Sequence, residues 1–295
     1  MILDTNALSA FVDGDTGVGN VPREQARGPS GNRARRVHPD SRSAFRPRPG
    51  YRTEKLVNAD AMTPSQRQAT RILFIGNSYT TRNGLPRLLV ELAADAQTPI
   101  PVEVATVFAG GASLRRHWNA GIAQKTLASA PWDYVVLQEQ SPLPWRNPQR
   151  YHESVRLFAG EIGKSDAKIA LYLTWSRKDA PEKQQLITRA VEEIGAEVGA
   201  RVVPVGPAWH AAMQADRNIA LYTDDGSHPT TAGSYLAACV FVVSLFGERP
   251  IGWSVSDRLQ LDRAAASTLQ EIAWAFRAPL EQSVRRRPTA SMRGH

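Results

Sequence analysis

The sequence predicts an α/β protein, a three-layer α/β/α sandwich on a five-stranded parallel sheet, occupying residues 71–283 of the 295. Two observations predict it. Five short apolar runs alternate with stretches of helical spacing, which calls for a parallel sheet with right-handed crossovers. The first run, Arg71–Gly76, is continuously apolar, as in strands buried on both faces. It is followed by Leu85–Ala96, whose Leu85, Leu88, Leu89, Leu92, Ala93 and Ala96 fall on one helical face. The second strand is expected over Pro101–Phe108 and its helix over Ser113–Ala128. The third pair is Asp133–Gln138 and Pro148–Ile162, and the fourth Lys168–Thr174 and Pro181–Val198. A short fifth strand, Arg201–Val205, leads through a loop region to helices over Thr230–Phe246 and Asp257–Val284.

Composition narrows the function classes. Apolar residues make up 42%, enough for an ordinary core. The single cysteine, Cys239, excludes an intrachain disulfide. The longest apolar run, Leu236–Phe246, has 11 residues, against about 20 for a membrane-spanning helix. The net charge of +8 is uneven. Residues 1–15 carry −3, residues 16–70 carry 11 basic against 4 acidic side chains, and residues 284–295 add four arginines. The remaining 71–283 hold 21 of each sign. A neutral body with basic tails argues against a nucleic-acid-reading domain. Residues 16–70, with six Pro and five Gly, sustain no periodicity and are expected to be disordered. The N-terminus lacks a basic region followed by an apolar one, so a cytoplasmic location is expected.

In open parallel sheets ligands bind beyond the carboxyl ends of the strands. There the sequence places Gly76-Asn-Ser-Tyr79, then Ala109-Gly-Gly-Ala-Ser113, Gln138-Glu-Gln-Ser141, Thr174-Trp-Ser176 and Asp224-Asp-Gly-Ser-His-Pro229. A serine, a histidine, an acid, a glycine pair and side-chain amides are the parts of an acyl-transfer site: nucleophile, base, orienter and oxyanion donors.

These blocks resemble those of the SGNH (GDSL-type) hydrolases. Ile75-Gly-Asn-Ser-Tyr79 is similar to the block that carries the family's nucleophilic serine. Asp225-Gly-Ser-His228 is similar to its last block, and Gly110-Gly111 sits where the family keeps a glycine. The resemblance covers about residues 71–250 and implies that Ser78 is the nucleophile, His228 the general base and Asp225 its orienter. The N–H groups of Ser78 and Gly111 would then face the oxyanion. The family completes the hole with an asparagine of a Gly-x-Asn-Asp block, which is absent here. Gln138 and Gln140 are the available amides, with Gln140 favoured by position.

Asp224 reads as a turn residue and Glu139 as structural. His117 is a candidate for the pocket rim, and Trp175 and Trp145 are candidates for stacking on a sugar. The expected function is a serine esterase acting on an acetyl or short acyl ester of a small molecule or carbohydrate, with no metal or organic cofactor, no specific nucleic-acid partner and no membrane. A non-catalytic carbohydrate- or ligand-binding protein on the same fold is the alternative. Met1–Ala10 separately resembles the start of PIN-domain nucleases, in which an aspartate such as Asp4 helps hold Mg²⁺ or Mn²⁺. The likeness ends within about fifteen residues, and one carboxylate cannot supply a hard cation's roughly six oxygens. The segment is therefore read as inert.

Overall fold

A computed structural model of the chain describes residues 50–57, 69–255 and 257–277. The PIN-like segment 1–15, much of 16–70 and the 284–295 tail fall outside the described residues.

The sheet consists of β1 (Arg52–Val57), β2 (Thr70–Gly76), β3 (Val102–Phe108), β4 (Tyr134–Leu137), β5 (Lys168–Tyr172) and β6 (Arg201–Val203). Their order across it is β1-β3-β2-β4-β5-β6. β2 through β6 are parallel, and β1 runs antiparallel along β3 with Arg52 opposite Phe108 and Val57 opposite Glu103.

The helices are α1 (Ser78–Thr81), α2 (Leu85–Ala94), α3 (Leu114–Ala120), α4 (Ile122–Ala128), α5 (Leu143–Arg146) and α6 (Pro148–Ile162). They continue as α7 (Gln184–Val198), α8 (Val205–Ala215), α9 (Thr231–Phe246) and α10 (Arg263–Ala275).

Side chains alternate across a strand, and the two sheet faces divide the core accordingly. Ile72 and Phe74 of β2 point into one cluster with Val104, Val136, Tyr172 and apolar residues of α2, α8, α9 and α10. Leu73 and Ile75 point into the other, with Val107, Leu137, Leu171 and residues of α3, α4, α6 and α7. Helices on both faces explain why the central strands are apolar without interruption. They also explain α9, in which every residue from Ala232 to Leu245 is buried. Close packing there needs Gly233: a methyl group on it would sit 2.4 Å from the Trp209 ring and 2.6 Å from the Leu221 carbonyl.

The sheet differs from the expectation in having a sixth strand. Arg52–Val57 lies inside the segment read as disordered, so that reading fails for these six residues. Its Arg52-Thr-Glu-Lys55 side chains are exposed and mostly charged, a pattern suited to an edge strand, where charge discourages pairing with another chain. What fixes it is the backbone ladder to β3, with Lys55 3.9 Å from Glu103, rather than an apolar face visible by composition.

Three helix readings also change. The span 113–128 breaks at Gly121, whose φ of +72° ends α3 and begins α4. The loop after the fifth strand contains α8, and Val205 belongs to that helix rather than to the strand. The last helix begins at Arg263, because the Asp262 side chain accepts from Ala264 N and Ala265 N and so caps it there.

The crowding at Gly233 makes a direct test of this packing. Gly233→Ala is expected to lower stability by about 1–3 kcal/mol, measured as a lower denaturant midpoint at an unchanged m-value.

Candidate active site

β2 lies between β3 and β4: the chain passes from β2 to β3 on one side and then crosses back over β2 to β4 on the other. Its carboxyl end is therefore a switch point, where an open α/β sheet leaves a crevice. Ser78 stands there, two residues past the strand, as the first residue of α1.

The turn that holds Ser78 is tied on both sides. Asn77 caps α1 by accepting from Tyr79 N at 3.1 Å, and its amide donates to Ala112 O at 3.0 Å. Asn77 N donates to Gln138 Oε1 at 2.8 Å, and the Thr80 hydroxyl donates to the same oxygen at 3.0 Å. Gly76 is required here: a Cβ would lie 2.5 Å from Thr80 Oγ1 and 2.6 Å from Gln138 Oε1.

His228 arrives on a loop 150 residues away, with its Nε2 2.8 Å from Ser78 Oγ. Its Nδ1 is 2.5 Å from Asp225 Oδ2. The other carboxylate oxygen accepts from Ser227 N, His228 N and the Thr223 hydroxyl, each at 2.8–2.9 Å. Burial pushes the Asp225 carboxyl up, but the hydrogen bonds from the His228 ring, the two amides and Thr223 outweigh it. They hold the group well below the usual carboxylate range. An ionised carboxylate only accepts, so His228 directs an Nδ1–H at Asp225 and turns its Nε2 toward the Ser78 hydroxyl. The His228 and Asp225 side chains are 26% and 48% exposed, so the pair borders solvent.

Contacts that sequence reasoning missed seat this loop. Tyr79, next to Ser78, meets Ser227 Oγ at 2.5 Å, and Trp175 Nε1 donates to Ser227 O at 2.9 Å. Lys178 N donates to Gly226 O at 2.9 Å, and Asn83 Nδ2 to Pro229 O at 3.0 Å. Asn83 holds a left-handed φ of +54° in doing so.

The glycine turn adds a further set of donors. Gly111, exposed and at φ +61°, lies in a turn closed by Ala112 N to Ala109 O. Among the described residues, the N–H groups of Ser78 and Gly111 donate to no other protein group. The two glutamines differ. Gln138 is fully buried beneath the Ser78 turn, its oxygen taken by Asn77 and Thr80 and its NH₂ donated to Glu139 O. Its expected place in an oxyanion hole is corrected: it braces the nucleophile turn instead. Gln140 is only partly buried, and its side-chain amide makes no hydrogen bond among the described residues.

Two further expectations are corrected. His117 does not rim a pocket. It is wholly buried, and its Nε2 donates to Gly76 O at 2.8 Å. Trp175 offers no face to a sugar, being buried between Tyr79, stacked at 4.8 Å, and Trp209, stacked at 3.8 Å. Trp145 packs half-buried against the second core cluster, with Lys183 and Arg146 over its ring at 5.3 and 5.1 Å. No contact brings it to Ser78 or His228. Among the described residues, no three His, Cys, Asp or Glu side chains gather as a metal site.

Comparison with known proteins agrees with this layout. No protein-family model matches the chain, and no curated protein does. Solved structures do. A protein from Slackia heliotrinireducens assigned to the SGNH hydrolases is 31% identical with a TM-score of 0.53, over 60% of this chain and 100% of that one. A DUF4886 family protein from Bacteroides uniformis superposes with a TM-score of 0.62 at 22% identity, over 70% and 94%. The acetylxylan esterase Axe2 from Geobacillus stearothermophilus gives 0.52 at 19%, over 60% and 94%.

Burial moves the His117 pKa from 6.5 down to about 4. Between those values the unfolded chain binds the proton and the folded protein does not, so this contribution to stability is lost as pH falls from 6.5 toward 4. His117→Gln, which keeps an amide donor for Gly76 O, is expected to flatten that loss by about 2–3 kcal/mol, measured by denaturant titrations at pH 7 and pH 4.

Proposed function

We propose that this chain, which belongs to the SGNH/GDSL-type hydrolase family, is a serine esterase that removes an acetyl or other short acyl group through an acyl-enzyme. The observation that carries the reading is the unbroken chain Ser78 Oγ, His228 Nε2, His228 Nδ1, Asp225 Oδ2, with separations of 2.8 and 2.5 Å between side chains. Serine hydroxyls are weak nucleophiles, and a bare imidazole nitrogen in hydrogen-bond reach is what activates one.

Ser78 Oγ attacks the ester carbonyl carbon as His228 Nε2 takes the hydroxyl proton. The resulting imidazolium is stabilised by Asp225, which stays ionised throughout. Charge accumulating on the carbonyl oxygen meets the N–H groups of Ser78 and Gly111 and the side-chain amide of Gln140. As the tetrahedral species collapses, the bond to the leaving alkoxide breaks and His228 returns the proton to it. Water, deprotonated by the same nitrogen, then attacks the acyl carbon, and Ser78 leaves with its proton restored. The His228 imidazole handles every proton transfer in this sequence.

A carbohydrate ester is the proposed substrate class. Its support is the likeness of fold to an acetylxylan esterase and a half-exposed triad able to reach an acyl group on a larger molecule.

With p-nitrophenyl acetate, Ser78→Ala is expected to lose at least about 10³-fold in kcat/KM, because a triad serine carries most of the rate. Asp225→Asn should lose about 10⁴-fold while remaining folded, by placing the proton on the wrong ring nitrogen. Because Asp225 remains ionised well below the usual carboxylate range, the acid limb of the kcat/KM profile should show a single protonation, with none from Asp225. A second protonation in that limb would contradict the assignment.

A further inference from the structure

Three chain segments converge on the proposed oxyanion site: the Asn77–Ser78 turn after β2, the Gly110–Gly111 turn after β3, and Gln138–Gln140 after β4. The sheet ladder sets the spacing of β2 from each of the others, but β3 and β4 lie on opposite sides of β2 and share no ladder. Beyond the ladder, the turns that trail β3 and β4 are held by hydrogen bonds from side chains.

Hydrogen bonds join the segments in pairs. The Asn77 amide holds the glycine turn through Ala112 O, and Asn77 N holds the β4 end through Gln138 Oε1. The third pair is joined by one side chain. Glu139 is 4% exposed, and its Oε1 accepts from Leu114 N at 3.1 Å and from Gln140 N at 2.7 Å. Leu114 begins α3 three residues beyond Gly111, and Gln140 carries the free amide. Among the described residues, no other hydrogen bond links these two segments.

A buried carboxyl is costly unless its oxygens are satisfied. Here Oε2 has no hydrogen-bond partner among the described residues, and burial pushes the group up to about 7. Ordinary core packing would be served as well by an apolar side chain. What an apolar side chain cannot do is let one oxygen bridge two amides on segments that trail strands with no shared ladder.

We propose that Glu139 is a positioning residue that sets the distance between the two outer oxyanion donors, Gly111 N–H and the Gln140 amide. The inference rests on the reading of Ser78, Gly111 and Gln140 given above. Glu139 itself touches neither substrate nor reacting atoms. Its effect therefore belongs in kcat and not in KM, since the oxyanion forms only after binding. A displacement of about 1 Å at such a site can cost about 10²-fold.

The test compares kcat and KM on p-nitrophenyl acetate for wild type, Ser78→Ala, Glu139→Gln, Glu139→Asp, Glu139→Ala and Gln140→Ala. Glu139→Gln keeps an acceptor at the same reach and is expected within about threefold of wild type. Glu139→Asp keeps the carboxyl group but is one methylene too short to span both amides. It is expected to lose about 10²-fold in kcat at a KM within about threefold, comparable to loss of an oxyanion donor. Glu139→Ala should behave likewise, and where it fails to fold, Glu139→Asp carries the comparison. In the Gln140→Ala background the Glu139→Asp effect should shrink, because part of what Glu139 positions is already gone.

An unchanged kcat in Glu139→Asp, a loss confined to KM, or Glu139→Gln falling as far as Glu139→Asp would overturn the proposal. The Ser78 reading fails separately, and visibly, where Ser78→Ala matches wild type.

Discussion

The site depends on the docking of the Tyr222–Thr230 loop onto the turn that carries Ser78. The two meet through the 2.8 Å approach of His228 to Ser78, across 150 residues of chain. That bond alone would be weak at a solvent border. It is supported by a column of aromatic rings beneath it: Tyr79 stacks on Trp175, Trp175 on Trp209, and Trp209 meets Tyr222 edge-on. Tyr79 and Trp175 each also place a polar atom on Ser227, the residue before His228. The rigid aromatic core and the polar triad are thus one construction, with the packing fixing where the imidazole can be.

The sheet order explains why these parts meet. A parallel sheet covered on both faces brings all its strand ends to one rim, and the reversal of winding at β2 opens a crevice at that rim. Two side chains near the rim are unusual in being polar and wholly enclosed. Gln138 lies under the nucleophile turn and His117 under the Gly76 carbonyl. Gln138 Oε1 accepts from Asn77 N just past β2, and His117 Nε2 donates to the Gly76 carbonyl, which Ala109 N also reaches at 3.4 Å. Neither faces the crevice, and both hold the strand end that does.

Much of this was legible in the sequence because burial on both faces leaves unbroken apolar runs, and because Asp225 and His228 lie three residues apart on one turn. What was not legible depends on where a side chain points. Gln138 and Gln140 are equivalent by composition, but one falls under the Ser78 turn and the other beyond it. Trp175 follows a strand as an exposed stacking residue would, and only the neighbouring rings show that both its faces are covered. β1 escaped because an edge strand held by a backbone ladder needs no apolar pattern. α8 escaped because Pro204-Val205 at its start reads as the end of the fifth strand, and the residues after it as a loop.

The most direct test of the account is labelling of the intact chain with a fluorophosphonate, followed by mass mapping of the modified peptide. An activated serine beside a bare imidazole attacks the phosphorus and keeps the adduct, whereas ordinary surface serines do not react. One label per chain is expected, on Ser78, prevented by removal of the His228 ring. A chain left unlabelled, or labelled on a different serine, would contradict it.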